Sequence, residues 1–409
     1  TLTKNTKMKL NSPIFSFLLH FIFLVTFIFP IYSSKPNNHQ IVDQSLQYDK
    51  EFHKINNTIK TNLQQINKPA IKTIHSPDGD IIDCVLFRNQ PAFDLPILKE
   101  YQSLDYQEKL KGRNQINNSS VFQPWSSSGE FCPEGTVPIR RTNEQERRFG
   151  RKDMTIPKRL YEVITFVQGR GYEGAKASLN VWAPQVENAE ESSSAKIWVQ
   201  SPTAKESIEA GWQVFPKQYG DHNPRLFIYW TADAYKSTGC YNLQCPGFVQ
   251  FSRTIGLGAA ITPVSKRLGT QYSFNLKIEQ DQKNRLWWLE YGSGSGPFEK
   301  VGYWPFNLFK ELNNEANLVQ FGGEVLDLNP TGDHTATDMG SGQFPELGLE
   351  VAAFIRNMQV AVAHDTYVDL PNPQYLEEKP DCYRIKGGFD KYHGSYIFYG
   401  GPGRSDICL

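Results

Sequence analysis

From Gln271 to Ile278 the chain alternates strictly, with Tyr272, Phe274, Leu276 and Ile278 falling between Gln271, Ser273, Asn275 and Lys277. A period of two places one set on each side of an extended chain, so this segment predicts a half-buried antiparallel strand. Residues 225–231, 247–252, 286–291 and 395–399 have the same texture, and Gly and Pro clusters punctuate them at short intervals. Such segments bury their apolar faces only by pairing and stacking. The expectation is therefore a mainly β fold, an antiparallel two-sheet β-sandwich of about 250 residues. Aromatic usage agrees, with 26 Phe, 19 Tyr and 8 Trp against 4 Met, a balance suited to pleated faces rather than helical bundles.

The region before the sandwich reads differently. After Met8 and Lys9 comes an apolar run over residues 14–32 that ends at Ser33 and Ser34. That order predicts a cleaved secretory signal, with a membrane anchor as the competing reading. Residues 40–66 carry Leu46, Phe52, Ile55, Ile59 and Leu63 at helical spacing. Residues 71–96 hold two β-like runs about a Pro77-Asp78-Gly79 turn. The expected organisation is a signal segment with upstream residues over 1–34, a small α+β domain over 35–140, a basic connector over 141–160 and the sandwich over 161–409. Arg141, Arg147, Arg148, Arg151, Lys152 and Lys158 crowd the connector. An exposed basic stretch is a site for proteolytic nicking, or simply a solvated linker. Sequons at Asn56, Asn117 and Asn118 would place glycans on the N-terminal part.

Export makes the cysteines interpretable. The six, Cys84, Cys132, Cys240, Cys245, Cys382 and Cys408, are an even number in an oxidising compartment. Sequence leaves 15 pairings open; nearest neighbours, Cys84 with Cys132, Cys240 with Cys245 and Cys382 with Cys408, are preferred. The eight His are scattered, without the H-E-x-x-H pattern, so no metal site and no cofactor are expected. Equal numbers of basic and acidic side chains, 43 of each, provide no field for nucleic acid. There is no G-x-S-x-G elbow, and the Gly-rich run 292–296 lacks the Lys-Ser or Lys-Thr of a phosphate loop and reads as a hairpin turn.

Two segments could carry chemistry. If residues 208–214 form a strand, Glu209, Gly211 and Gln213 share one face, opposite Ile208, Ala210, Trp212 and Val214. If residues 320–325 form another, Gln320, Gly322 and Glu324 share one face. Each would offer a carboxylate and an amide about a glycine, with Glu209 and Glu324 facing each other across a groove wide enough for an extended peptide. Paired carboxylates split their protonation states, so one can act as base and the other as acid. Gln213 or Gln320 could donate to an oxyanion, and Trp212 and Tyr303 are candidate walls for a substrate ring. The bland alternative is solvent-facing Glu and Gln on edge strands.

Several longer strings sharpen the choice. H-S-P-D-G-D-I-I-D-C-V and Q-P-A-F-D lie between residues 75 and 94, and C-P-E-G-T-V-P-I-R-R starts at Cys132. I-E-A-G-W-Q-V, R-L-F-I-Y-W-T, G-C-Y-N-L-Q-C-P-G-F-V-Q, G-Y-W-P and F-G-G-E-V follow in order from Ile208 to Val325. Together they resemble the neprosin family of glutamic peptidases, the first strings matching its activation peptide and the rest its mature domain. The resemblance implies a β-sandwich endopeptidase that cleaves after proline with a Glu/Glu dyad, here Glu209 and Glu324. It also implies that the N-terminal domain inhibits the enzyme until lost in acid. Phe321 stands where the family has Trp. Expected partners are proline-containing peptides or proteins and the chain's own pro-domain, without nucleic acid or a stable membrane contact, and the expected state is a secreted monomer. The rival from another class is a non-catalytic extracellular module that binds carbohydrate or glycoprotein.

Overall fold

The structure, a computed structural model, describes residues 63, 65–103, 122–127, 129–143, 146, 159–327 and 332–409. The apolar run, the three sequons, nearly all of the helix expected over 40–66 and most of the basic connector lie outside the described residues.

The N-terminal domain is built on β1 (Ala70–His75), β2 (Ile81–Leu86) and β3 (Thr136–Arg140), paired antiparallel in that order. The turn between β1 and β2 closes with Ser76 N–H donating to Asp80 O, and Gly79 takes the left-handed φ of +91° that a side chain would resist. A disulfide joins Cys84 on β2 to Cys132 ahead of β3.

The remaining chain forms two sheets. Its strands are β4 (Arg159–Tyr172), β5 (Gly174–Asn180), β6 (Ser192–Gln200), β7 (Ser207–Val214), β8 (Arg225–Thr231), β9 (Val249–Gln250), β10 (Ser273–Asp281), β11 (Leu286–Gly292) and β12 (Glu299–Pro305). There follow β13 (Ala316–Asp327), β14 (Ala353–Ala363), β15 (Thr366–Asp369), β16 (Gln374–Glu377), β17 (Arg384–Asp390) and β18 (Gly394–Gly400). One sheet has the order β16-β4-β13-β6-β7-β8; the other runs β17-β18-β14-β5-β10-β11-β12-β9, with β15 also paired to β14. These strands pair antiparallel throughout both sheets.

Alternation decides what lies between the sheets. Ile208, Ala210, Trp212 and Val214 of β7, Ala195, Ile197 and Val199 of β6, and Phe274, Leu276 and Ile278 of β10 all enter one buried cluster. Each large side chain taken out of water there stabilises the sandwich by roughly 1.5–3 kcal/mol. The Trp212 indole N–H donates to the Asn180 carbonyl of β5, 2.9 Å away, which fixes one sheet against the other. Leaving Glu209 and its neighbours off that inner face puts them on the outer face of the six-stranded sheet.

After β8 the chain doubles back. Tyr241 pairs with Tyr229, Asn242 N–H donates to Ile228 O, and the Cys240–Cys245 disulfide closes the turn. Asp233 holds the start of this loop by accepting from the backbone N–H groups of Lys236, Ser237 and Thr238. The N-terminal domain docks beside it, on the flank carrying β8 and β9. Gln90 exchanges two hydrogen bonds with the Gln250 backbone, and Phe122 pairs with Thr262. Asp80 accepts from Arg140 and from the buried Arg225, both at 2.7 Å.

Candidate active site

Register assigns the neighbours of each carboxylate on the outer face. The row through Glu209 reads Gln320 on β13, Trp198 on β6, Glu209 on β7 and Tyr229 on β8. Two residues along each strand, the next row reads Gly322, Lys196, Gly211 and Phe227, and the one beyond reads Glu324, Ser194, Gln213 and Arg225. Glu209 and Glu324 therefore occupy opposite corners of a checkerboard with Lys196 at its centre. Glycine flanks Lys196 on both sides, so the long side chains can lean over the neighbouring strands and meet above them.

They meet at the ammonium. Lys196 Nζ lies 2.7 Å from Glu209 Oε2 and 2.9 Å from Glu324 Oε2. Glu209 is 0%, Lys196 1% and Glu324 6% exposed. The other oxygen of Glu209 accepts from the Tyr235 hydroxyl at 2.8 Å. Tyr235 reaches it from the loop after β8, where Ala234 and Tyr235 both adopt left-handed φ, 59° and 62°, a conformation that non-glycine residues hold only when the surroundings impose it. Burial, and then the Glu209 carboxylate, push the Tyr235 hydroxyl well above its ordinary range, so it remains a donor. Burial, then the Glu324 charge, do the same to Tyr241. The walls are aromatic: Lys196 Nζ stands 4.4 Å from the Trp198 ring, and Tyr229 packs edge-on against Tyr241 at 4.8 Å.

The geometry corrects several expectations. The two carboxylate strands do not adjoin; β6 lies between them, and the shared contact is an ammonium. Neither strand is an edge, so the picture of solvent-facing acids on sheet margins is wrong. Gln213 is on the expected face but donates to the Tyr219 hydroxyl at 2.7 Å, and Gln320 stands in the Glu209 row across Trp198. Trp212 cannot wall a substrate groove, because the period of two that turns Glu209 outward turns this indole fully into the core. Tyr303 belongs to the other sheet. It pairs with Trp288, which pairs with Glu279 on the face opposite the core residue Ile278, and its ring lies 6.2 Å from Tyr101 of the N-terminal domain. That is the far outer face of the sandwich from Glu209.

Sequence reasoning missed Lys196 and Tyr235. The alternation in S-S-A-K-I-W-V already turned Lys196 away from Ala195 and Ile197, but nothing local says that β6 lies between β7 and β13. Two groups among the described residues could approach an ion, His334 with Cys382 and Cys408, and Glu279 with His364 and Asp365. The two cysteines are joined in a disulfide, and Glu279 is already paired with Lys277 at 2.8 Å.

The neprosin family model matches residues 189–402, and the neprosin activation peptide model matches residues 73–173. A crystal structure of scytalido-glutamic peptidase with a peptide-based transition state analog is similar at 10% identity, covering 60% of this chain and 99% of its own, with a TM-score of 0.31. SCP-B, a member of the Eqolisin family of peptidases solved with the tripeptide Ala-Ile-His, is 9% identical over 60% of this chain and 99% of its own, with a TM-score of 0.30.

Proposed function

The chain belongs to the neprosin family of glutamic peptidases and carries its activation peptide, and from that premise we propose that it is the secreted zymogen of an endopeptidase that cleaves after proline, with Glu209 and Glu324 as its dyad. The observation that supports this most is the convergence of two buried carboxylates from different strands on one point of the outer sheet face. An isolated structural ion pair needs only one of them.

In the working state the pair holds one proton. Glu324, the more exposed, is the base: it takes a proton from water as the oxygen attacks the carbonyl carbon of the substrate. Glu209 in its protonated form donates to the carbonyl oxygen, and then gives its proton to the amide nitrogen as the C–N bond breaks. The proton gained by Glu324 is redistributed through solvent, which restores the pair. Export rests on the apolar run over 14–32, and preference for proline rests on the family resemblance. The N-terminal domain is the inhibitor, docked through the buried Asp80–Arg225 contact on β8, the strand beside Glu209. Its loss follows cutting in the basic connector over 141–160.

The test is acid incubation of the secreted chain with a proline-rich protein and mass spectrometry of the products, alongside Glu209→Gln and Glu324→Gln. Cuts after proline should appear with the wild type and fall by roughly 10²–10⁴-fold in either variant. Equal activity in wild type and variants would sink the dyad. A wild type that stays inert after losing its N-terminal domain would favour the binding-module alternative.

A further inference from the structure

Lys196 is a cation buried between the two acids of the dyad, and acid–base hydrolysis does not by itself call for one. We propose that it is a positioning residue that sets the pH at which the dyad works: its ammonium stands in for a proton between Glu209 and Glu324, so the singly protonated pair forms only in acid. The inference rests on the dyad reading and adds to it a built-in upper pH limit.

The case is geometric and electrostatic. The ammonium meets both carboxylates at hydrogen-bond distance, 2.7 and 2.9 Å, and is 1% exposed, so bulk water screens neither contact. With both acids ionised the cluster carries one net negative charge, the ammonium offsetting one of the two carboxylates. Removing that cation would leave two carboxylates facing each other in a buried space, and one of them would take a proton at a higher pH. Among the described residues, the other groups named here do not supply a second cation. From β7 and β13 come the two acids themselves. From β8 and its following loop come the hydroxyls of Tyr229, Tyr235 and Tyr241, and from β4 Glu162 stands opposite Glu324. Arg225, one row further along β8, is committed to Asp221 and Asp80. Gly211 and Gly322 give the lysine its place: a Cβ at 211 would lie 2.6 Å from Lys196 Cβ.

The experiment measures kcat/KM against pH for a proline-containing peptide, using the acid-treated full chain and its Lys196→Gln and Lys196→Arg variants. Glutamine keeps a hydrogen-bond donor without the charge, and arginine keeps the charge. The expected result is that the alkaline limb moves up by roughly 1–3 pH units in Lys196→Gln and stays near the wild-type position in Lys196→Arg. An unmoved limb in Lys196→Gln, or equal movement in both, overturns the inference. If Glu209→Gln and Glu324→Gln are inactive in the same assay while the limb is unmoved, only the role of Lys196 falls; if those variants keep full activity, the dyad falls first. Should Lys196→Gln fail to fold, carbon-13 resonances of labelled lysine in the wild type take its place. One buried lysine signal should then shift over the pH range of the alkaline limb, and a set of lysine signals that all stay constant there overturns the proposal.

Discussion

Gly211 has no side chain to separate Glu209 from Gln213, and that vacancy is what lets β6 and β7 approach each other beneath the two acids. An ideal Cβ at this position would stand 2.0 Å from the Ala195 carbonyl oxygen, so a side chain there has to push the backbone aside. Gly211→Ala is expected to cost about 1–3 kcal/mol, to lower the melting temperature by several degrees and to displace Lys196 from the dyad, with loss of activity. Differential scanning fluorimetry and the peptide assay check both; a variant with wild-type melting and activity would show that the close approach is dispensable. Sequence alone led to Glu209, Gly211 and Glu324, since a carboxylate two places from a glycine in an alternating run keeps its face whatever the register. It could not lead to Lys196, because a lone lysine in a strand reads as a solvated residue until its neighbours are known. Trp212 illustrates the opposite error: an aromatic three places after the proposed catalytic Glu209 faces the other way in a strand.

On the scale of elements, the contact between the N-terminal sheet and β8 is a buried ionic cluster. Arg225 is clamped by Asp80 from the turn after β1 and by Asp221 from its own domain, and Arg140 of β3 bridges Asp80 and Glu146. Its acids respond to pH with opposite signs. Burial, against the pull of Arg140, raises Glu146 above its usual 4.5. Its stabilising contribution is therefore full below about pH 4.5 and is lost as pH rises through the higher folded value. Asp221 runs the other way: burial alone would raise it, but the hydrogen bond and charge of Arg225 hold it below 3.8. Its contribution is present at neutral pH and is lost as acid reaches that depressed value. Glu146 thus opposes the proposed acid release rather than triggering it. Melting temperatures of wild type and Glu146→Gln from pH 7 to 4 should diverge in favour of the wild type as pH falls; a difference constant over that range would remove Glu146 from the pH response. The strands of this interface were readable from the Pro77-Asp78-Gly79 turn and its flanking runs, whereas the pairing of Asp80 with a residue 145 positions away was not.

For the whole molecule, alternation and turn residues revealed which segments are strands, and the order of those strands is what stayed hidden. β13 inserts between β4 and β6, and β14 joins β5 across nearly the length of the sandwich; such long-range pairings are chosen by the joint burial of many faces and leave no local mark. The disulfides have a consequence at this scale. Cys84–Cys132 lies within the N-terminal domain, and Cys240–Cys245 and Cys382–Cys408 lie within the sandwich, with no free cysteine left over. No covalent bridge crosses the basic connector, so a single backbone cut there is enough to free the N-terminal domain, held otherwise by Asp80, Gln90 and the packing of Tyr101 on Tyr303. After acid treatment, a non-reducing denaturing gel should resolve two fragments without added thiol, and the smaller should stay whole even when nicked between Cys84 and Cys132. Fragments that part only on reduction would mean that the cysteines pair across the connector, and that release of the N-terminal domain needs a reducing step as well as a cut.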